Sequence, residues 1–329
     1  MIEFFYNSAT DSAYNLALEE LLTREVNDEI FFLWQNAPAV IIGRNQNTLA
    51  EINSDFIQQN KINVTRRNTG GGAVYHDLGN VNYSYIVNYQ EGKSIDFSDF
   101  AVPVIKTLTE MGINAEFSGR NDILIDNKKI SGSAQSRIGD RILFHGTLLF
   151  DVNIENLVNS LNVSGIKISG KGIASVRSRV TNIKEHLLQN ITVKDFINSV
   201  SDSIRRQFNV KNDYIVPQQI LMQAKKLAEE KYRTWEWNYG NSPAFNYEKS
   251  CKFTGGSVTL QMEIQKGKII NARFNGDFFS RKDVSILEKM LENAEISTEN
   301  ISDILNSMPI SEMFLNITAA EILSLFPAV

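Results

Sequence analysis

The sequence predicts an α+β chain of two unequal units. Short strand-like runs mix with helical periodicities throughout, the composition changes at "WEWNYGNSPAF", and no low-complexity linker or internal repeat interrupts the chain. The turn residues Asn241, Ser242 and Pro243 set the boundary, giving a large unit over residues 1–243 and a small one over 244–329.

Taken in order, "DSAYNLALEELLTREV" places Tyr14, Ala17, Leu18, Leu21 and Leu22 on one helical stripe, with Asp11 as its cap. "EIFFLWQ" and "AVIIGR" are β-rich, and "FIQQNKINVTRR" reads as a helix end running into a strand. "AVYHDLGNVNYSYIVNY" alternates apolar and polar residues around a turn at Leu78 to Asn80 and reads as a hairpin. "VPVIKTLTEMG" is a helix stopped by Gly112, "DILIDNKKISGSAQ" a hairpin turning at Asp126 and Asn127, and "RILFHGTLLFDV" a further strand. Helices follow over Thr192 to Phe208 and Gln218 to Tyr232. The small unit opens with strands, including "SVTLQMEI" and "KIINARF". It closes with helices at Asp283 to Leu291, Thr298 to Leu305, and after Thr318, which forms a capping box with Glu321.

Composition narrows the function. With 43% hydrophobic residues, a chain of 329 residues can bury a substantial core. A net charge of −5 gives no global attraction for nucleic acid or an anionic membrane, and no apolar run is long enough to span a bilayer. The single cysteine, Cys251, cannot form an internal disulfide, which suits a reducing, cytoplasmic setting. The small unit has no coiled-coil pattern, so a monomer is expected.

Chemistry concentrates in "RRNTGGGAVYHD", where two arginines, three successive glycines and a histidine share one short stretch. Glycines after a strand let backbone approach a ligand without Cβ interference, and turned backbone can aim N–H groups at an anion. A glycine cluster alone also fits a plain turn. Because strand side chains alternate, only one of Arg66 and Arg67 faces the same side as the glycines; Arg67 is taken as the pocket residue and Arg66 as a surface ion pair. His76 fits a hydrogen-bonded wall residue more readily than a general base. In "GRNDILIDNKKISGSAQ" a hairpin brings Asn121 and Asp122 near Lys128 and Lys129, so a carboxylate and an ammonium converge. Lys129, beside Ile130 and the small run "SGSA", is the lysine to be held, whereas Lys128 reads as a solvated charge. "GKGIASVRSRVTNI" adds Lys171, Arg177 and Arg179 on a glycine and serine loop.

Absences exclude alternatives. The sequence has no G-x-x-x-x-G-K-[ST], no G-x-G-x-x-G, no H-E-x-x-H and no G-x-S-x-G, which removes P-loop, dinucleotide, zinc-hydrolase and nucleophile-elbow chemistry.

Four stretches, "RRNTGGGAVYHDLGNVNYSYI", "GRNDILIDNKKISGSAQ", "HGTLLFD" and "KGIASVRSRVTNI", in that order, resemble the lipoate-protein ligase A family of the biotin and lipoate ligase superfamily. "TWEWNYGNSPAFNY" and "NGDFF" extend the resemblance into that family's accessory C-terminal domain. The resemblance implies a large mixed-sheet catalytic domain and a two-step reaction. Lipoate and ATP with Mg²⁺ give lipoyl-AMP and pyrophosphate, and the lipoyl group then passes to a lysine of a lipoyl domain of a 2-oxo acid dehydrogenase or of the glycine-cleavage H protein. It implies that Lys129 bridges the acyl carbonyl and α-phosphate in both steps. Gly70, Gly71 and Gly72 pass close to the adenylate, and Val74 and Tyr75 offer backbone and surface to the adenine. Asn121 and Asp122 stand near the phosphates, with Asp122 the candidate Mg²⁺ ligand. Lys171 belongs to a loop that closes over the adenylate. Arg67 and His76 line the lipoyl pocket, within an apolar sleeve of Leu16, Leu18, Gly132 and Ala134. Asn68 departs from the small or hydroxyl residue common in relatives, which removes a phosphate contact there and leaves Thr69 to serve.

Alternatives remain at this point. An ATP-independent octanoyl or lipoyl transferase would need a pocket thiolate, and Cys251 lies in the small unit. A catalytically inert protein that binds lipoate or a lipoyl domain would not require Lys129, Asp122 and the full glycine run. A biotin ligase would carry a Gly-Arg-Gly-Arg signature, which is absent.

Overall fold

The computed structural model describes residues 2–89, 96–119, 121–161, 179–239, 246–265 and 267–327. It separates into two compact units: Met1–Ile41, Leu49–Arg66 and Val74–Asn238 form the first, and Ile42–Thr48, Arg67–Ala73 and Tyr239–Val329 the second. The sequence predicts one cut along the chain, at residues 241–243. The second unit instead gathers two short N-terminal segments, one of which carries the glycines.

The first unit is built on a seven-stranded sheet of order β1-β2-β6-β10-β9-β8-β7. Its strands are β1 (Ile2–Asn7), β2 (Glu29–Trp34), β6 (Asn80–Asn88), β7 (Glu116–Ser118), β8 (Asp122–Ile125), β9 (Lys128–Ile138) and β10 (Arg141–Leu149). β1 and β2 run parallel, which requires a crossover, and the helix Ser12–Glu25 supplies it. Asp11 starts that helix by accepting from the Ala13 and Tyr14 N–H groups. The remaining neighbours are antiparallel, so the sheet is mixed as expected. The turn at Asp126 and Asn127 has φ of 48° and 62°, the left-handed pair that a two-residue hairpin needs and that Asp and Asn tolerate.

Each sheet face has its own core. One packs Phe31, Tyr83, Phe144, Phe150 and Ile130 under the helices Phe97–Glu110 and Val193–Phe208. The other packs Phe32, Trp34 and Leu143 under Ser12–Glu25, itself covered by Gln218–Leu227. Helix Val193–Phe208 opens with a complete capping box from Thr192 and Asp195 and ends on left-handed Asn209.

The stretch 74–88 is not a hairpin. β5 (Val74–His76) pairs with β3 (Ala39–Ile42) in a small sheet completed by β4 (Asn63–Arg66), while β6 pairs with β2 and β10. The turn between them redirects the chain: Asp77 accepts from the Gly79 N–H at 2.8 Å, and a Cβ at Gly79 would lie 2.0 Å from the Asp151 carbonyl oxygen. Alternation in sequence identifies a strand but not its partner.

The second unit contains the meander β11 (Tyr247–Phe253), β12 (Gly256–Gln265) and β13 (Lys268–Gly276), packed on helices that include Ser285–Leu291 and Thr298–Asn306. Its core joins Val258, Leu260, Phe274, Phe278 and Phe314, and the capping box of Thr318 and Glu321 is present. Among the described residues no helix is long and apolar enough to cross a membrane.

Phe144 is fully buried and stacks on Phe100 at 4.8 Å, so Phe144→Ala should cost about 3–5 kcal/mol of unfolding free energy. Thr192→Ala, which removes only a cap, should cost about 1 kcal/mol; urea unfolding midpoints measure both.

Candidate active site

The site begins with one extra residue. β8 pairs with β9 as Asp122 to Gly132 and Ile123 to Ser131, and then as Leu124 to Lys129. Ile130 is therefore a bulge, buried with Ile123 in the core beneath. Without it, Lys129 would share a face with Ser131. With it, Lys129 shares the face of Asp122, Leu124 and Gly132. Lys129 Nζ lies 2.8 Å from Asp122 Oδ1, across Gly132. A Cβ at Gly132 would stand 2.7 Å from that nitrogen and 2.9 Å from Lys129 Cε, so glycine provides the space in which the ammonium rests. The side chains are 36% and 35% exposed; water screens the pair, which therefore orients the lysine more than it stabilises the fold. The Lys129 backbone is held as well, donating to the Arg179 carbonyl and accepting from the Thr181 N–H.

Two rows of side chains cross the same face. Register sets Trp34, Asn82 and Thr147 in one, and the Thr147 hydroxyl hydrogen-bonds the Gly132 backbone, which continues the row to Asp122. Phe32, Ser84, His145 and Ala134 form the other. Helix Ser12–Glu25 lies over this face and presents Glu19, which is 2% exposed. Ser84 Oγ donates to Glu19 Oε1 at 2.5 Å, and Trp34 Nε1 donates to Ser84 Oγ at 2.8 Å. His145 Nδ1 is 2.9 Å from both Glu19 oxygens; a carboxylate only accepts, so this nitrogen carries the proton. A buried carboxylate is costly unless hydrogen-bonded, and these donors compensate it. Sequence reading missed Glu19, Ser84, Trp34 and Thr147. The available signal was the polar line Asn15, Glu19, Thr23 at four-residue spacing on a helix otherwise rich in leucine.

His76 is buried and held by its neighbours. Asn15 donates to Asn36 Oδ1, which turns the Asn36 amide nitrogen toward His76 Nδ1 at 3.0 Å, and Trp34 packs edge-on to the ring. Leu16, Leu18 and Ala134 are all buried against this face. Asn121 clamps one strand to the other: its amide donates to the Ser133 carbonyl, and its own carbonyl accepts from the Ser133 N–H and hydroxyl. Tyr75 is 2% exposed, with its hydroxyl 3.4 Å from the Asn156 amide nitrogen, and Val74 is half-buried.

The arginines divide differently from expectation. Arg66 is not a surface ion pair: it is buried, donates to the carbonyls of Trp237 and Asn238, and burial pushes its guanidinium down to about 10. Arg67, equally buried, binds Thr69 Oγ1 and the carbonyls of Gly70 and Gly72, and so shapes the glycine loop from within the second unit. Lys171 and Arg177 lie outside the described residues. No cluster of three His, Cys, Asp or Glu able to hold a metal occurs among the described residues.

Comparison with known proteins gives the family. A family model for the lipoyl protein ligase A/B catalytic domain matches residues 11–205, and one for the bacterial lipoate protein ligase C-terminus matches 242–326. The chain is 42% identical to a lipoate-protein ligase of Bacillus subtilis over 96% of each. Among solved structures, a P. falciparum protein in complex with lipoate superposes with a TM-score of 0.78 at 28% identity, covering 94% of this chain and 95% of that one. A bipartite lipoate protein ligase of Thermoplasma acidophilum, described with its E2 lipoyl domain, gives a TM-score of 0.65 at 25% identity, covering 74% and 98%.

Replacing Gly132 tests the resting place of the ammonium. Gly132→Ala puts a methyl group 2.7 Å from Nζ and 2.9 Å from Cε, closer than van der Waals contact allows, so the Lys129 side chain should be displaced from Asp122 while the sheet persists. The expected result is an unchanged unfolding midpoint with faster modification of Lys129 by an amine-reactive reagent, read by mass spectrometry.

Proposed function

Because this chain belongs to the lipoate-protein ligase family, we propose that it activates free lipoate with ATP and transfers the lipoyl group to a lysine of a lipoyl domain or of the glycine-cleavage H protein. The observation that carries the site assignment is the ammonium of Lys129, fixed by Asp122 across Gly132 at the end of a face lined by Trp34, Phe32 and Ala134.

In the first step a lipoate carboxylate oxygen attacks the α-phosphorus of ATP, and the bond to the pyrophosphate oxygen breaks. Two anions must meet and charge grows on the phosphoryl oxygens, so a positioned cation lowers the barrier. Lys129 supplies that cation from its place 2.8 Å from Asp122 Oδ1, and its ammonium presents three donors. In the second step a neutral acceptor amine attacks the acyl carbonyl of the mixed anhydride. The C–O bond breaks, AMP leaves with the electron pair, and one proton is released as the amide forms. The same ammonium stabilises the developing carbonyl oxyanion and the departing phosphate.

The glycine run suits the phosphates, because Arg67 takes the Gly70 and Gly72 carbonyls and turned glycine backbone can aim N–H groups at an anion. Mg²⁺ fits the donor set as a companion of ATP: one carboxylate, Asp122, together with substrate phosphates is an ordinary environment for it. The face that carries Trp34, Phe32 and Ala134, braced by Glu19 and His145, fits an acyl arm that is apolar along its length. Transfer without ATP through a thioester lacks its nucleophile, since Cys251 lies on β11 in the second unit.

Lys129→Ala should retain lipoate binding and lower pyrophosphate release from lipoate and MgATP by about 10²–10³-fold. Lys129→Arg should not restore it, because a planar guanidinium spreads its charge over a fork and cannot reproduce the compact point charge of an ammonium. Undiminished release from a folded Lys129→Ala protein would falsify the assignment.

A further inference from the structure

The glycine run and the turn before it are fastened to one corner of the C-terminal unit. At that corner β13 ends in Gly276, φ 156°, where a Cβ would lie 2.0 Å from the Ser257 carbonyl oxygen. Asp277 accepts from the Ser257 N–H at 2.6 Å, and the Phe279 carbonyl accepts from the Leu315 N–H. The corner is thus fixed before it touches the glycines. Three contacts then reach the loops. The Gly276 N–H donates to the Asn45 carbonyl at 2.7 Å. Arg44 Nη2 meets Asp283 Oδ2 at 2.6 Å. Phe279 lies against the glycines themselves: a Cβ at Gly71 would be 3.1 Å from its Cε1, and one at Gly70 would be 2.6 Å from the Phe278 carbonyl oxygen. The loops also bind each other. Arg44 N–H donates to the Thr69 carbonyl, Arg67 N–H to the Ile42 carbonyl, and a Cβ at Gly43 would sit 1.9 Å from the Gly71 carbonyl oxygen.

We propose that Phe279, supported by the Arg44–Asp283 pair, is a positioning residue that holds the backbone of Gly70 to Gly72 in the conformation that binds the ATP phosphates. This rests on the adenylation reading above. Three consecutive glycines have the largest conformational entropy to lose on ordering, and Gly71 has φ of 90°. A loop that must present N–H groups to an anion gains from being ordered beforehand. Arg67 engages the loop's carbonyls, and beside it Phe279 sets a rigid ring that Gly70 and Gly71 can approach because they lack Cβ: one Cβ at Gly71 would meet Arg67 Nη2 at 3.0 Å and Phe279 Cε1 at 3.1 Å. The glycines therefore serve two contacts, the phosphates and this ring.

The test is the full-length protein with lipoate and MgATP, followed by pyrophosphate release, lipoate titration and amide hydrogen exchange. Phe279→Ala should raise KM for ATP by at least about fivefold, leave the lipoate Kd within about twofold, and speed exchange in residues 67–73. Phe279→Leu, which keeps part of the apolar contact, should fall between. Arg44→Gln keeps the proposal testable should Phe279→Ala fail to fold. Its ion pair is 34% and 44% exposed, so folding tolerates the change, and KM for ATP should rise about twofold. A folded Phe279→Ala with wild-type KM for ATP overturns the proposal, as does an equal loss of ATP and lipoate affinity, which would mark a general structural role. A wild-type protein that releases no pyrophosphate removes the adenylation reading and this inference together, whereas an active wild type with insensitive variants removes the inference alone.

Discussion

The ion pair of Lys129 and Asp122 depends on a residue that touches neither charge. Ile130 is inserted into β9 opposite no partner, and its side chain is absorbed into the core with Ile123. That insertion changes the parity of the strand, so Lys129 emerges beside Gly132 on the face that Asp122 also occupies. A strand of the same composition without the bulge would send the ammonium to the side of Ser131. Gly132 then has a steric role: it is the floor on which the lysine chain lies.

The two faces of the central sheet divide labour. The face toward Phe97–Glu110 and Val193–Phe208 is packed with aromatic rings and supplies rigidity. The face toward Ser12–Glu25 buries polar groups, a poorer choice for stability alone, since each must be satisfied. Glu19 is compensated by His145 and Ser84, and Asn15 and Asn36 hold His76. Such networks fix side-chain orientation more sharply than apolar contact does, which is what a surface that positions a ligand requires.

The glycine segment has the opposite problem. It has too little side chain to order itself, and it is bound by Arg67 and packed against the Phe278–Phe279 corner. Residues 42–48 and 67–73 group with the C-terminal unit for this reason.

Helix starts at Asp11, Thr192 and Thr318, the turn at Asp126 and Asn127, and the convergence of Asp122 with Lys129 were all legible in the sequence. Each is decided by residues within a turn or hairpin of one another, so local chemistry suffices. The partner of β5, the interior role of Arg66, the buried Glu19 and the bulge at Ile130 were decided only by tertiary structure. Alternation gives a strand two equivalent faces, and a charged side chain takes its role from whatever lies opposite. Hydrogen-bond register between distant segments breaks that symmetry, and no single stretch of sequence contains it.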